Sequence, residues 1–205
     1  CWRGIADLSV SYPHRECVIE SWGRGRRLGI VPLAAGKVYW FAVINAKEAD
    51  PSMKHASQQD LLSMFEEFHP DYLSVLQQTP ASHIFWSDLH DIKPIHQFAF
   101  GNILLAGDAA HATTPNMGQG GCQALEDAAV LMDVLQKDGH MERAFLDFES
   151  KRIPRTRRII ETSRNIGRMA HLQNPILVKL RNTFMKLIPE KATLTQLEWL
   201  NHTDF

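Results

Sequence analysis

The chain has 205 residues, enough for one large domain or two small ones, and a content of 44% hydrophobic and 22% charged residues is typical of a globular protein. A formal net charge of −1 gives no electrostatic reason to expect nucleic acid or an anionic membrane as a partner. Three cysteines without a CxxC pair favour a reducing, cytoplasmic compartment, and ten histidines without paired ligand spacing predict no metal site. No apolar run approaches the roughly 20 residues that span a bilayer, which predicts no transmembrane segment.

The first third of the chain predicts an antiparallel sheet. Residues 16–22 alternate loosely between polar and apolar, and residues 26–33 place Leu28, Ile30 and Pro32 on one face. Residues 37–44 are rich in aromatic and β-branched side chains, and Gly36 suits a tight reversal before them. The opening run CWRGIADL has the pattern of the middle of a strand and lacks an initial methionine. We therefore expect the chain to be a fragment of a longer protein.

One helix is predicted to follow this sheet. Ser57 and Asp60 resemble a capping box, with aspartate in place of the usual glutamate or glutamine. Pro70 is expected to end the helix, and residues 83–89 predict another strand. Apolar residues recur at helical spacing after the cap: Leu61, Leu62, Met64, Phe65 and Phe68.

The later part of the chain predicts one strand and then helices. Residues 101–107 form a continuously apolar run, typical of a strand that is buried on both faces. A helix is predicted from Gln123, a second over 142–172 with a kink at Pro154, and a third over 175–188. The first of these helices is expected to bury a wide apolar face: Ala124, Leu125, Ala128, Ala129, Leu131, Met132 and Leu135.

These elements predict a mixed α+β or α/β chain that divides near residue 98. Residues 1–98 would form an antiparallel sheet domain, and residues 99–205 would form one strand with the C-terminal helices. The basic run at 151–158 is interpreted as a solvated face of the second long helix.

A glycine cluster follows the apolar strand, with a lone acid, Asp108, just before it. Glycines allow a close approach of the backbone to a ligand, the first amides of a helix lack intrahelical partners, and an acid can accept hydrogen bonds from ligand hydroxyls. The alternative is a structural turn in which Asp108 caps a local loop. The other glycine-rich run, GRGRRLG at 23–29, lacks the third glycine and the following helix of a phosphate-binding motif, and we interpret it as a hairpin loop.

The stretch GNILLAGDAAHATTPNMGQGGCQALEDAAVL, residues 101–131, closely resembles the second flavin-binding motif of the single-component FAD-dependent aromatic monooxygenases. CWRGIAD, GIVPLAAGKVYWFAV and the helix with RIPRTRR are also similar to this superfamily, and GQGGC is shared with the zeaxanthin epoxidase and FAD-dependent urate hydroxylase subgroup. The resemblance implies the C-terminal half of a para-hydroxybenzoate-hydroxylase-like fold. It would hold part of the substrate-domain sheet in 1–98 and one FAD-domain strand with helices in 99–205, without the N-terminal Rossmann part.

The resemblance also implies how this motif would serve FAD. Asp108 would bind hydroxyls of the ribose or ribitol, Gly107 would let the backbone turn past the cofactor, and Pro115 would lie beside the isoalloxazine on the substrate side. Helix N-terminal donors would stabilise negative charge on the reduced flavin. The segment expected at the pyrimidine end of the flavin comprises Gly118, Gln119, Gly120, Gly121 and Cys122.

The implied reaction is hydroxylation or epoxidation. NADPH or NADH would reduce FAD, O2 would form a flavin C4a-hydroperoxide, and oxygen would pass to a small aromatic, isoprenoid-like or other electron-rich substrate. The matching substrate and catalytic positions are Arg27, Tyr39 and Asn116. Asn116 stands where the urate hydroxylases have aspartate, so the resemblance does not imply urate as the substrate of this chain. The alternative for Arg27 and Tyr39 is a solvated strand arginine and a sheet-packing tyrosine.

Other interpretations stay open at this stage. The chain could belong to a non-oxygenating flavoprotein of the same fold, a reductase or halogenase, or be an inactive half that needs an N-terminal partner chain or an oligomer. His111 is interpreted as a hydrogen-bonding loop residue, and Cys122 as a small filler whose backbone matters more than its thiol. The isolated chain is predicted not to bind FAD tightly.

Overall fold

The computed structural model of the chain describes residues 1–7, 16–137, 139–189 and 198–200. The chain forms two compact units. The first comprises residues 1–88 and 169–179, and the second comprises residues 89–168 with the described residues from 180 onward. The domain boundary near residue 98 stays a prediction.

An antiparallel sheet of five strands forms the centre of the first unit, in the order β2-β3-β4-β1-β5. Its strands are β1 Trp2–Asp7, β2 Ile19–Trp22, β3 Arg26–Pro32, β4 Lys37–Ile44 and β5 Ile84–Trp86. The antiparallel sheet predicted from the sequence is therefore confirmed. The hairpin predicted at GRGRRLG is present: residues 23–25 form the β2–β3 loop and residues 26–29 belong to β3. Gly25 takes a left-handed φ of +69°, and the Gly23 amide donates to the Arg26 carbonyl over 2.8 Å.

One face of this sheet packs against short helices, α1 Pro51–Lys54, α2 Gln58–Met64 and α3 Pro70–Gln78. The predicted capping box is present, since Ser57 accepts from the Asp60 amide and the Asp60 carboxylate accepts from the Ser57 amide. The prediction that Pro70 ends this helix is wrong. The helix ends at Met64, and Pro70 starts α3, because the first position of a helix needs no amide donor.

The second unit contains a two-stranded ribbon of β6 Ala99–Phe100 and β7 Ile103–Leu104. The prediction of a strand over 101–107 buried on both faces is wrong, because only Ile103 and Leu104 pair and Ile103 is 63% exposed. Apolar character predicted burial, but within the part of the chain that the structure describes β7 has only β6 as a neighbour.

Helices make up the rest of the chain. They are α4 Asp108–His111, α5 Gly120–Lys137, α6 Met141–Ala170 and α7 Pro175–Leu187, and α6 continues through Pro154. The apolar face predicted for α5 is wrong: Leu125 is 75% exposed and Met132 62%. The buried side of α5 instead consists of Gln123, Asp127, Val130 and Val134.

No helix among the described residues is both long and apolar enough to cross a membrane.

Candidate cofactor loop and substrate face

The segment between β7 and α5 is an open loop that starts and ends on left-handed glycines. Gly107 has φ +57° and ψ −141°, a conformation that only glycine adopts without strain, and Gly118 has φ +66° and ψ +18°. Apart from the adjacent chain and the helix's own backbone, no atom of the described residues lies within 4 Å of the position that a Cβ on Gly118 or Gly121 would take. The surface beside these glycines is therefore open enough for a ligand to approach the backbone.

Asp108 is the first residue of α4 and is exposed. Among the described residues its carboxylate has no hydrogen-bond or ion-pair partner, so the alternative that Asp108 caps a local turn is wrong. Its acceptor oxygens are free for an external donor.

The first turn of α5 offers backbone donors close to the same loop. The first hydrogen bond of the helix runs from the Gln123 amide to the Gln119 carbonyl over 2.9 Å. The amides of Gly120, Gly121 and Cys122 precede it and have no intrahelical acceptor. The Cys122 side chain is exposed, which contradicts its interpretation as a packed filler.

Beneath this loop, Asp127 of α5 accepts three hydrogen bonds although it is only 2% exposed. The Gly107 amide donates to its Oδ2 over 2.7 Å, His111 Nε2 lies 2.6 Å from the same oxygen, and Arg152 Nε donates to Oδ1 over 2.6 Å. This agrees with the interpretation of His111 as a hydrogen-bonding loop residue. Asp127 thus connects the backbone at the start of the loop to α6.

Arg152 is the cation at the centre of this buried cluster and is also 2% exposed. Besides Asp127, it donates through Nη1 to Glu126 over 2.7 Å and through Nη2 to the Gln123 side-chain oxygen over 2.8 Å. Arg155 adds a two-pronged contact to Glu126, at 2.6 and 2.8 Å. The interpretation of the basic run 151–158 as a solvated face is therefore wrong at Arg152, because acids on a neighbouring helix balance the buried charge.

The ionised state of these acids follows from their donors. Burial alone would raise the pKa of Asp127, but hydrogen bonds from His111 and the Gly107 amide hold that pKa below its ordinary value. Burial is also the largest single effect on Glu126 and opposes its ionisation, but the hydrogen bonds and charges of Arg155 and Arg152 together outweigh it, so the pKa of Glu126 is lowered as well. Both carboxylates are ionised at neutral pH and act as acceptors.

Asn116 connects the middle of the loop to α6 through a hydrogen bond. Its side-chain amide nitrogen donates to the Ser163 carbonyl over 2.7 Å and to the Thr114 hydroxyl over 2.9 Å. A Cβ on Gly167 would lie only 2.7 Å from that nitrogen, so the helix gives it room at this point. Pro115, beside it, is exposed.

In the first unit, the sheet face opposite the core carries Arg27 and Tyr39. Gly29 of β3 pairs with Phe41 of β4. Arg27 lies two residues from Gly29, and Tyr39 lies two residues from Phe41, so all four residues lie on the same face of the sheet. The Arg27 guanidinium lies 5.7 Å from the centre of the Phe41 ring, and the Phe41 and Tyr39 ring centres are 6.3 Å apart. Phe41 therefore lies between the two predicted residues, a position that the sequence did not single out.

Arg27 is not a solvated strand arginine, because it is only 2% exposed. Burial lowers its pKa, and the Glu20 carboxylate, whose Oε1 is 3.2 Å from Arg27 Nη1, opposes that shift. The same Glu20 oxygen accepts from the Trp22 indole over 2.7 Å. Burial raises the pKa of Tyr39, which keeps its phenol protonated and able to donate a hydrogen bond.

Residues 8–163 match the family described as FAD binding domain. The chain belongs to this FAD binding domain family. The aurachin C monooxygenase/isomerase of Stigmatella aurantiaca is 37% identical to it over 187 residues, which are 91% of this chain and 48% of that protein. The 3-hydroxybenzoate 6-hydroxylase of Klebsiella oxytoca is 36% identical over 172 residues, 82% of this chain and 43% of that protein.

Among solved structures, Klebsiella pneumoniae HpxO complexed with FAD and uric acid matches this FAD binding domain with a TM-score of 0.85 and 25% identity, over 96% of this chain and 50% of that one. The predicted para-hydroxybenzoate-hydroxylase-like fold is therefore confirmed. The chain spans about half the length of the curated relatives that it matches.

The residues of the loop fit the cofactor that defines the family. An exposed carboxylate without a partner suits a polyhydroxyl chain, and glycines with open space above them suit a flat ring. The amides of the first turn of α5 suit an electron-rich edge of such a ring. All eight residues predicted to contact FAD lie in one continuous stretch, from Gly107 to Cys122.

Proposed function

We propose that the chain is the C-terminal half of an FAD-dependent monooxygenase. The enzyme uses NADPH or NADH and O2 to hydroxylate or epoxidise a small aromatic or other electron-rich organic substrate. The observation that carries this proposal is the open loop from Gly107 to Cys122, at the start of an 18-residue helix in a chain of the FAD binding domain family. The Asp108 carboxylate in this loop has no partner among the residues that the structure describes. When bound, FAD would supply the redox chemistry with O2.

In this proposal the loop holds the flavin by contacts of three kinds. Asp108 accepts hydrogen bonds from sugar or sugar-alcohol hydroxyls, and Gly107 lets the backbone pass close to that group. Pro115 lies beside the ring system on the substrate side. Backbone donors face the pyrimidine end of the ring, and they come from the segment Gly118, Gln119, Gly120, Gly121 and Cys122.

The sheet face with Arg27, Phe41 and Tyr39 is proposed to bind the substrate. The neighbouring, mutually tilted rings of Phe41 and Tyr39 favour a flat, electron-rich molecule, and the Tyr39 phenol can donate a hydrogen bond to a substrate oxygen. Asn116 is assigned to the substrate side of the loop, where its amide cannot act as a charged base. Its hydrogen bond to Ser163 supports a role in holding that side in place.

A second candidate is a half-protein that gains function only with an N-terminal partner chain. The apolar side chains on the outer side of α5 favour it, since Leu125 is 75% exposed and Met132 62%, and exposed surface of this kind marks an interaction site. The two candidates agree that this chain alone lacks part of the FAD site. The cytoplasmic assignment belongs to the same proposal and rests on three unpaired cysteines.

The proposal is tested by FAD affinity and by oxidation of NADPH or NADH in air, measured on the chain together with its N-terminal half. Replacement of Asp108 by alanine should weaken FAD binding about tenfold, because a charge-assisted hydrogen bond is lost. The free energy of unfolding should stay within about 0.5 kcal/mol of the wild type, because the Asp108 side chain is exposed and has no partner in the described part of the chain. Asp147→Ala, which removes another exposed acid of the second unit, is the matched control and should change neither quantity.

Four outcomes separate the candidates. Oxidation of the nicotinamide cofactor that yields an oxygenated aromatic product supports the monooxygenase, and oxidation without such a product points to a reductase. Sub-micromolar FAD binding by the 205-residue chain alone would contradict the need for a second half. Failure of the two halves together to bind FAD would refute the proposed function.

A further inference from the structure

We infer that Asp127 is the positioning residue that presents Asp108 to the cofactor, and that His111 and Arg152 hold the Asp127 carboxylate in place for this task. The inference rests on the proposed function, because it concerns the same FAD contact. Asp127 touches neither substrate nor cofactor in this account. It acts through the backbone of Gly107, the residue directly before Asp108.

The backbone of Gly107 takes a conformation that is open to glycine but not to other residues, with φ of +57° and ψ of −141°. Because glycine can adopt many other conformations as well, contacts around Gly107 must select this one. The only hydrogen bond that the structure shows for the Gly107 amide goes to Asp127 Oδ2, at 2.7 Å. This bond fixes the direction in which the chain enters α4 and hence the direction of the Asp108 side chain.

The Asp127 carboxylate accepts three hydrogen bonds. Backbone, imidazole and guanidinium donors converge on its two oxygens, over 2.6 to 2.7 Å. A carboxylate satisfies all three, whereas an amide offers one acceptor oxygen and would leave at least one buried donor without an acceptor. The identity of the residue at 127 is therefore dictated by the hydrogen bonds and not by helix formation.

Asp127 and Asp108 differ in their surroundings. Asp127 is 2% exposed and both of its carboxylate oxygens accept hydrogen bonds within the unit, while Asp108 is exposed and has no partner among the described residues. One acid thus holds the loop, and the other is left available at its surface. The carboxylate that binds externally depends on the buried one for its position.

Hydrogen exchange in the chain without FAD gives a direct readout. Asp127→Asn should accelerate exchange of the Gly107 amide about tenfold and leave the Ala99 amide unchanged. The matched control is Glu149→Gln, because Glu149 accepts from the Phe98 and Ala99 amides, the latter over 2.9 Å, in the same unit. Glu149→Gln should accelerate exchange of the Ala99 amide and leave exchange of the Gly107 amide unchanged.

FAD affinity, measured on the chain with its N-terminal half, gives the second readout. Asp127→Asn should weaken binding about tenfold, and Glu149→Gln should leave it unchanged. Since Asp127→Asn also removes one of the two anionic partners of Arg152, a milder pair of variants at His111 tests the same point in a folded chain. His111→Gln keeps an N–H donor near the Nε2 position and should bind FAD as tightly as the wild type. His111→Leu has no such donor and should bind FAD about fivefold more weakly.

Distinct results overturn distinct claims. Wild-type FAD affinity in Asp127→Asn would overturn the positioning role and leave the proposed function intact. Equal losses in Glu149→Gln and Asp127→Asn, or in His111→Gln and His111→Leu, would also overturn it, since general destabilisation would then explain them. A wild-type protein that does not bind FAD would overturn the proposed function and this inference together.

Discussion

Arg152 Nε lies 2.6 Å from Asp127 Oδ1, and both side chains are 2% exposed. They come from different helices, 25 residues apart in the sequence. Removing one member of such a pair leaves a buried charge without compensation, which costs far more than the loss of a surface ion pair.

Arg152→Met is therefore expected to lower the free energy of unfolding by about 3 to 5 kcal/mol, because the carboxylates of Asp127 and Glu126 lose their central cation. Urea unfolding followed by circular dichroism measures the loss. Lys151→Met is the neighbouring control, since the Lys151 pair with Asp133 is partly exposed and should contribute under about 1 kcal/mol. Equal effects of the two substitutions would contradict a buried role for Arg152.

The stability of the wild type should fall as the pH is lowered below about 4.5. The folded-state pKa values of Glu126 and Asp127 lie below their ordinary values of 4.5 and 3.8, so the unfolded state takes up protons first on acidification. The stabilisation is present above those ordinary values and is lost as the pH falls through the folded-state pKa values. Unfolding by urea at pH 7, 5, 4 and 3 should show the gap between wild type and Arg152→Met narrowing below about pH 4.5. A gap that stays constant down to pH 3 would argue against this assignment.

Gly107→Ala should destabilise the chain more than Gly118→Ala. Gly107 occupies a region that costs a non-glycine residue of order 1 to 3 kcal/mol, whereas Gly118 lies in the left-handed helical region, where the cost is about 1 kcal/mol. Both variants replace one Hα of a glycine by a methyl group, so thermal unfolding of the two compares the backbone costs directly. The reverse order would mean that the backbone at Gly107 relaxes easily.

Gly29→Ala should disturb the aromatic face of the sheet. A Cβ at position 29 would lie 2.2 Å from the tip of the Phe41 ring, so the ring must move, and with it the stacking of Arg27. Overpacking of this kind costs about 1 to 3 kcal/mol. Gly121→Ala is the control, because the space at its Cβ position is open among the described residues and alanine favours a helix. That variant should be neutral or slightly more stable. The change in near-ultraviolet circular dichroism should be confined to Gly29→Ala, and identical spectra for the two variants would count against the overlap.

Local patterns predicted the strands of the first unit well. Alternation and turn residues depend on a few neighbouring positions, and the capping box at Ser57 needs only residues three apart. The same locality explains the success at GRGRRLG, which was assigned to a hairpin because no helix follows it. The helix α3 was missed because Pro70 was taken as an end and not as a first residue.

Predictions of burial failed where they depended on distant parts of the chain. Counting apolar residues on α5 selected the side with Leu125 and Met132, but the structure buries the side with Asp127 and Val130. A sequence signal did exist, since Gln123, Asp127, Val130 and Val134 follow the spacing of one helical stripe, but the two polar members concealed it.

The sequence by itself determined the family, the loop from Gly107 to Cys122 and the antiparallel strands, because each is written in short runs of neighbouring residues. Only the tertiary structure decided that Asp127, and not Asp108, is held within the fold. Burial and ion pairing join residues from separate helices, and the cost of an unpaired buried charge makes those partners obligatory. For the same reason Arg152 and Arg27 are buried, although each stands in a sequence context typical of a solvated arginine.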